Sequence, residues 1–353
     1  MRILYLYSGA RKDKFHGQAS IDYPDTQFYG LNHLSEFGIE ADYKEFGDLV
    51  ESKFLNKFLG FRAMHLLLYF LTNGYDLVFG SSLLFMMVLK KIFKPKTQFV
   101  LLNIGFSRTI SANKDNKLKL KLIGWLVKEF NGIICLSNVQ KEYLQSRLSD
   151  LKDKIFFVPL GVDTIFYKPN YENRTNYILA VGRDNGRDYK TVIETAHLMP
   201  EEEFHIVCSR RNLEEITDIP SNIKIFYDLP FVAVNKKYQK AKLLLLITHD
   251  DNFLDGSDCS GQTVLLDAMA SGLPIIASRK KYLDDYVENN KEILTVDFYN
   301  AAKIKNKIET LNNDDELYLK IARQARKKAE NNFSTKNMAK NLAAVFNVIK
   351  NKD

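Results

Sequence analysis

The sequence predicts an α/β chain of two Rossmann-like domains, each built on a parallel sheet, with the sheets facing a central cleft. Three observations predict it. The chain has 353 residues, too many for one ordinary compact domain and about right for two. Short, β-branched, near-continuous apolar runs alternate with helix-period segments, the pattern of parallel strands covered on both faces. That series also occurs twice. Apolar residues make up 46% and charged residues 26%, enough for two cores, which excludes a disordered or collagen-like chain.

The first series places strands at Ile3–Tyr7, Ala41–Glu45, Leu77–Gly80, Phe99–Asn103, Gly132–Leu136 and Ile155–Val158. Helical periods fall at Asp25–Phe37, Ser82–Phe93, Lys117–Asn131 and Asn138–Leu148. The second series has strands at Tyr177–Val181, Phe204–Cys208, Ile223–Phe226, Leu243–Thr248, Pro274–Ala277 and Ile293–Val296. Its helices are Asp188–Leu198, Val234–Ala241, Gly261–Ser271, two long ones after Asn300, and an amphipathic Thr335–Lys350. The polar, proline-containing stretch Lys168–Asn173 separates the series, giving domains at 1–169 and 170–335, with 336–353 expected to pack back on the first.

Several function classes drop out. Cys135, Cys208 and Cys259 lie far apart with no C-x-x-C pair, so a disulfide framework is excluded and a reducing cytoplasm expected. The longest apolar stretches, 63–71 and 83–89, fall short of the roughly 18–20 residues of a membrane span. Arg2–Tyr7 reads as a buried strand rather than a secretory signal. All of the net charge of +7 sits in residues 1–170, where 23 Lys and Arg face 16 Asp and Glu. A solvated basic surface explains this, or an anionic partner such as a membrane or acidic acceptor. Nucleic acid is excluded, because no basic-aromatic motif accompanies the modest charge.

Ligands of open parallel sheets bind beyond the carboxyl ends of strands. Two segments stand there. Val181–Lys190 follows a strand and opens a helix; Gly182 and Gly186 allow a tight turn, and Arg183, Arg187 and Lys190 crowd the helix start. A helix N-terminus favours anions, and guanidinium groups bind phosphate bidentately; a solvated, charge-capped turn is the alternative. In Asp258–Gly272 a polar loop with Cys259 enters a helix through Gly261, Gln262 and Thr263, whose N–H groups could meet a diphosphate or sugar. Asp267, two turns in, could accept from ribose hydroxyls or be a locally satisfied structural residue.

With Ile133–Asn138, Val158–Pro169 and Ala268–Ala277, these segments resemble the retaining GT-B glycosyltransferases of family 4 (glycosyl transferases group 1). The resemblance covers roughly residues 130–300, and the first domain mainly by architecture. It implies transfer of a hexose-type sugar from a UDP- or GDP-sugar to a glycan or lipid-linked acceptor, with retention, no required cofactor and no metal. Arg183 and Arg187 (with Lys190 as alternative) stand where the family holds the diphosphate, and Asp267 where it holds the ribose. Cys259, beside Asp258, replaces the family's first Glu, and Asn103 replaces a His near the reacting sugar. The leaving phosphate oxygen can take the acceptor proton, so Asn103 remains compatible with catalysis.

The acceptor side is expected in the first domain, at the single Gly9 and at His16, Asp22 and Asp25, unless these form only a structured loop. His249-Asp250-Asp251 reads as a polar strand end rather than a metal site. Two basic amphipathic segments, 54–71 and 114–128, could touch an anionic leaflet, giving a protein peripheral on the inner face of a membrane. Core packing of sheet-covering helices explains them too, with Trp125 in the core. A sugar-nucleotide epimerase of the same fold and a non-catalytic partner subunit are the rival functions.

Overall fold

The computed structural model describes residues 1–9, 11, 22–45, 68–171, 177–253, 255–256 and 258–351. The first sheet consists of β1 (Arg2–Tyr7), β2 (Glu40–Glu45), β3 (Leu77–Gly80), β4 (Gln98–Leu102), β5 (Gly132–Cys135) and β6 (Ile155–Phe157). They lie in the order β2-β1-β3-β4-β5-β6, all parallel. Helices α1 (Met86–Phe93), α2 (Phe106–Ala112), α3 (Lys117–Val127) and α4 (Asn138–Arg147) connect them. Leu4, Val78, Phe99 and Ile133 are fully enclosed, because both faces of the strands are covered.

The second sheet is built from β7 (Tyr177–Val181), β8 (Glu203–Cys208), β9 (Ile223–Tyr227), β10 (Leu243–Leu246), β11 (Ile275–Ser278) and β12 (Leu294–Val296). Its order, β12-β11-β10-β7-β8-β9, is again parallel throughout. Read from β9, this is the dinucleotide-fold order 3-2-1-4-5-6, whose switch point lies between β7 and β10. Around it stand α5 (Tyr189–His197), α6 (Phe231–Lys240), α7 (Gln262–Ala270), α8 (Ala301–Asn313), α9 (Asp315–Asn332) and α10 (Thr335–Lys350).

The twelve strands among the described residues all fall within two residues of the ends read from the sequence. Two helical expectations change. Asp25–Phe37 is two short 3-10 turns, broken at Tyr29 (φ 51°) and Gly30 (φ 77°). A β-carbon at Gly30 would fall 2.9 Å from the Ala339 nitrogen, so the chain presses against α10 and cannot continue as a helix. The helix α2, whose polar sequence gives no apolar period, was not anticipated; Gly105 at φ 77° starts it. Among the described residues no helix is long and apolar enough to cross a membrane.

The chain divides into two compact units. One holds Met1–Gln18, Phe28–Pro159 and Met338–Asp353; the other holds Ala19–Gln27 and Leu160–Asn337. The division therefore falls at Pro159, ten residues before the expected Pro169. Hydrogen bonds account for the difference. Asp163 accepts from the Asp25 backbone at 2.9 Å and its own N–H donates to Thr26 Oγ1 at 2.9 Å. Val162 bridges Ser334, and Asn235 donates to the Phe166 carbonyl at 2.8 Å. These tie residues 160–169 to the second unit. In the first unit α10 is held by Gln98 Nε2 on the Ile349 carbonyl (3.2 Å), by Lys350 and Asp76 (3.3 Å), and by Phe346 against Phe79.

Candidate functional site

The switch point of the second sheet is where the sequence segments meet. The loop after β7 runs from Gly182 to Asp188, and the one after β10 leads into α7 at Gly261. Ser260 Oγ donates to Asp184 Oδ1 at 2.6 Å, and the same oxygen accepts from the Gly186 N–H at 2.8 Å. That bond clips the two loops together. His249 N–H donates to the Gly186 carbonyl, and Asp188 N–H to the Ile247 carbonyl.

Arg187 lies inside this clip. It is 7% exposed and pairs with Thr248 in an antiparallel bridge. A β-carbon at Gly182 would fall 2.2 Å from its Nε, and one at Gly261 would fall 2.9 Å from its Nη1. Both glycines are therefore required by the guanidinium. Nε and Nη1 of Arg187, and Oγ1 of Thr248, are buried without a hydrogen-bond partner among the described residues. Tyr189 and Tyr282 stand nearby, but burial pushes both phenols far above their ordinary range, so neither supplies a negative charge.

The two helix starts singled out in the sequence differ. At α5 the first turn is already occupied: Asp188 is buried and its carboxylate accepts from the Thr191 N–H at 3.0 Å and its hydroxyl at 2.5 Å. At α7 the N-cap is Gly261 (φ 94°), which has no side chain to cap the helix, and the Gln262 N–H donates to the Cys259 carbonyl at 3.1 Å. The positive end of α7 thus faces a buried cation. Two like-signed groups held together in a dry place call for an anion.

The remaining expected residues sort as follows. Arg183 is half exposed and turned away: its Nη2 donates to the Leu229 carbonyl at 2.9 Å and its Nε lies 3.4 Å from Asp228. The two arginines thus point in different directions in this structure. Lys190 is exposed on α5. With Arg187, His197, Arg211, Asp218 and His249 it lines a groove of about 620 Å³. Asp258, Cys259 and Thr263 are partly buried at the α7 entrance, whereas Gln262 is turned inward, donating to Tyr286 Oη at 2.8 Å.

Asp267 is buried and does not line that groove. Burial holds its carboxyl well above the ordinary range, against the Tyr167 hydrogen bond, with Asp163 adding to the rise. It is an enclosed acid whose Oδ1 has no hydrogen-bond partner among the described residues. Asn103 is enclosed as well. It is fully buried in the first unit, donating to Ser107 Oγ (2.7 Å) and Cys135 Sγ (3.6 Å) while accepting from the Ser107 N–H (3.1 Å). Its amide is spent on the start of α2.

Three of the expected acceptor-side residues are described. Gly9 is exposed after β1, Asp22 is exposed, and His16 lies outside the described residues. Asp25 is buried in the second unit, where its carboxylate accepts from Thr335 Oγ1 at 2.9 Å. The first sheet instead carries a small pocket of about 100 Å³ at its own β1/β3 switch point, lined by Tyr7, Ser8, Arg11, Tyr29 and Ser81. Arg11 stacks 4.6 Å over the Tyr7 ring. His249 stacks on Phe253 at 4.0 Å, and no group of His, Cys, Asp and Glu suited to a metal occurs among the described residues. Thr248 and Ser260 were missed by the sequence reading, although both stand at strand or loop ends beside the chosen motifs.

The second unit also has a sequence signature. Residues 163–328 match the model of the family described as glycosyl transferases group 1. That match spans just under half of the 353 residues and lies wholly in the second unit. No curated protein matches the chain. Among solved structures, Anabaena Alr3699/HepE in complex with UDP-glucose aligns with a TM-score of 0.71 at 14% identity, over 99% of this chain and 100% of that one. Sucrose-phosphate synthase from Thermosynechococcus elongatus aligns at 0.73 and 15%, over all of both chains. A glycosyltransferase from Rickettsia africae ESF-5 aligns at 0.66 and 16%, over 100% of this chain and 99% of that one. At these identities the likeness is one of fold, and the fold is GT-B. The Arg187 clip lies inside the matched residues.

Proposed function

We propose that this protein is a retaining glycosyltransferase that moves a hexose-type sugar from a nucleotide-diphosphate donor, UDP-linked by preference, to a glycan or lipid-linked acceptor. The observation that carries the reading is the buried guanidinium of Arg187 with two unpartnered nitrogens at the uncapped start of α7. A diphosphate resolves that arrangement: its oxygens accept from Arg187 and from the helix N–H groups. UDP in the Anabaena structures supports the choice of base.

The chemistry follows from charge. Breaking the anomeric bond builds negative charge on the departing diphosphate and positive charge on the sugar. Fixed donors at the leaving group stabilise that state more than the ground state. A leaving phosphate oxygen takes the acceptor proton on the same face, which gives retention without a side-chain base and agrees with Asn103 being structural. The Arg11 pocket at the β1/β3 switch point is the candidate seat of the acceptor.

Calorimetry with UDP, GDP and their sugar conjugates tests the donor. Saturable UDP binding lost in Arg187→Ala supports the reading; unaltered binding in that variant removes it. Product analysis by NMR then distinguishes the α from the β anomer and so tests retention.

A further inference from the structure

The helix α3 is apolar on two faces. Ile123, Leu126 and Val127 point into the core of the first unit. Leu118, Leu122 and Trp125, spaced i, i+4 and i+7, form a second stripe on the outside, with Leu118 81% and Trp125 44% exposed. A helix that only covers a sheet presents polar residues outward. This corrects the core position expected for Trp125. The stripe continues onto α1: Lys91 Nζ lies 4.7 Å from the Trp125 ring, and the next residues, Ile92 and Phe93, are exposed, with exposed Phe70 edge-on to Phe93.

Charge surrounds the apolar stripe. From Phe85 to Lys128 the sequence holds nine Lys and Arg108 against one acid, Asp115. Lys94, Lys96, Lys114, Lys117, Lys119 and Lys121 are all exposed. The neighbouring acids Glu129 and Asp150 are taken by Lys91 (2.5 Å) and Lys128 (2.7 Å). This one segment exceeds the net charge of the whole chain.

We infer that the α1–α3 face is a docking surface for an anionic lipid bilayer, with Leu118, Leu122 and Trp125 entering the headgroup boundary and the lysines meeting lipid phosphates. Aromatic and aliphatic side chains ringed by Lys are what an interfacial helix uses, and neither contribution suffices alone. A second copy of the chain is a poor occupant, since it would press one lysine field against another. The inference is independent of the donor reading.

The chain has a single Trp, so its emission reports this face directly. Full-length protein is titrated with phosphatidylcholine vesicles and with vesicles containing phosphatidylglycerol, each with and without brominated acyl chains. The expected result is a blue shift and bromine quenching with the anionic vesicles only, reversed by salt. Lys117→Glu/Lys119→Glu/Lys121→Glu lowers partitioning roughly a hundredfold. Leu118→Ser/Leu122→Ser lowers it about tenfold or more, and unchanged melting of both variants confirms their folding. Vesicle binding without quenching, no binding by the wild type, or a Trp shift produced by an acidic polypeptide but not by vesicles overturns the inference.

Discussion

Nη1 of Arg187 sits 2.9 Å from the point a β-carbon on Gly261 would occupy, so the guanidinium and the open end of α7 share one space. Neither feature alone would mark a site, because buried arginines and uncapped helices each occur for structural reasons. Together they place a cation against a positive helix terminus, and Nε and Nη1 have no partner among the described residues. An unpaired buried charge is costly, by several kcal/mol in general. That makes the arrangement one that a bound oxyanion completes.

The glycine on the other side gives the first prediction. Gly182→Ala puts a methyl 2.2 Å from Arg187 Nε, and the guanidinium must move. UDP affinity measured by calorimetry is expected to fall at least about tenfold, the loss of one charge-assisted hydrogen bond, with the far-UV spectrum unchanged.

Asn103 is expected to matter for stability and not for donor binding. Its side chain makes three hydrogen bonds at the β4–α2 junction. Asn103→Ala deprives Ser107 of two of them and Cys135 of the third, at a cost of about 2–3 kcal/mol in urea unfolding. The Kd for UDP is expected to match the wild type. A variant of normal stability with lost UDP binding would return Asn103 to the site.

Gly30 anchors the chain against α10. Its φ of 77° is unfavourable for a residue with a side chain, and the added methyl would meet the Ala339 backbone at 2.9 Å. Gly30→Ala is expected to destabilise by at least about 2 kcal/mol, read from the denaturation midpoint.

The enclosed Asp267 makes stability depend on pH. Its carboxyl is raised above the ordinary value of 3.8 by burial, so the folded state holds a proton that the unfolded chain releases. Its favourable contribution is complete below about pH 3.8 and is lost progressively as pH rises toward the elevated folded value. Asp267→Asn cannot ionise. Relative to the wild type, that variant is expected to gain in melting temperature as pH rises above about 4; parallel profiles would contradict the burial argument.

The parts of this fold written locally were legible, and the parts decided at a distance were not. Strands β4 and β10 are nearly continuous apolar runs, so their places follow from composition alone. The turn at Tyr29–Gly30 is dictated by α10, some 300 residues later in the chain, and nothing in 25–37 signals it. The unit boundary moved because Asp163 bonds to Asp25, 138 residues away. At the site, the arginine-rich motif was visible, but its two arginines part: Arg183 turns to Asp228 and Arg187 turns inward. Sequence likewise could not tell that Asp188 closes the helix start at α5 while Gly261 leaves the one at α7 open, since both depend on backbone dihedrals. For α3 the sequence left an outward stripe and core packing both open, because a doubly apolar helix has the same residue content as a core helix.

Thermal unfolding of wild type and Arg187→Met, each with and without saturating UDP, tests the central claim most directly. The account predicts that UDP at about a hundredfold over its Kd stabilises the wild type by about 2.7 kcal/mol and the variant not at all. It also predicts that the ligand-free variant melts no lower than the wild type, because an unpaired buried cation has been replaced by an apolar side chain. A variant that keeps the full UDP-dependent rise would contradict it.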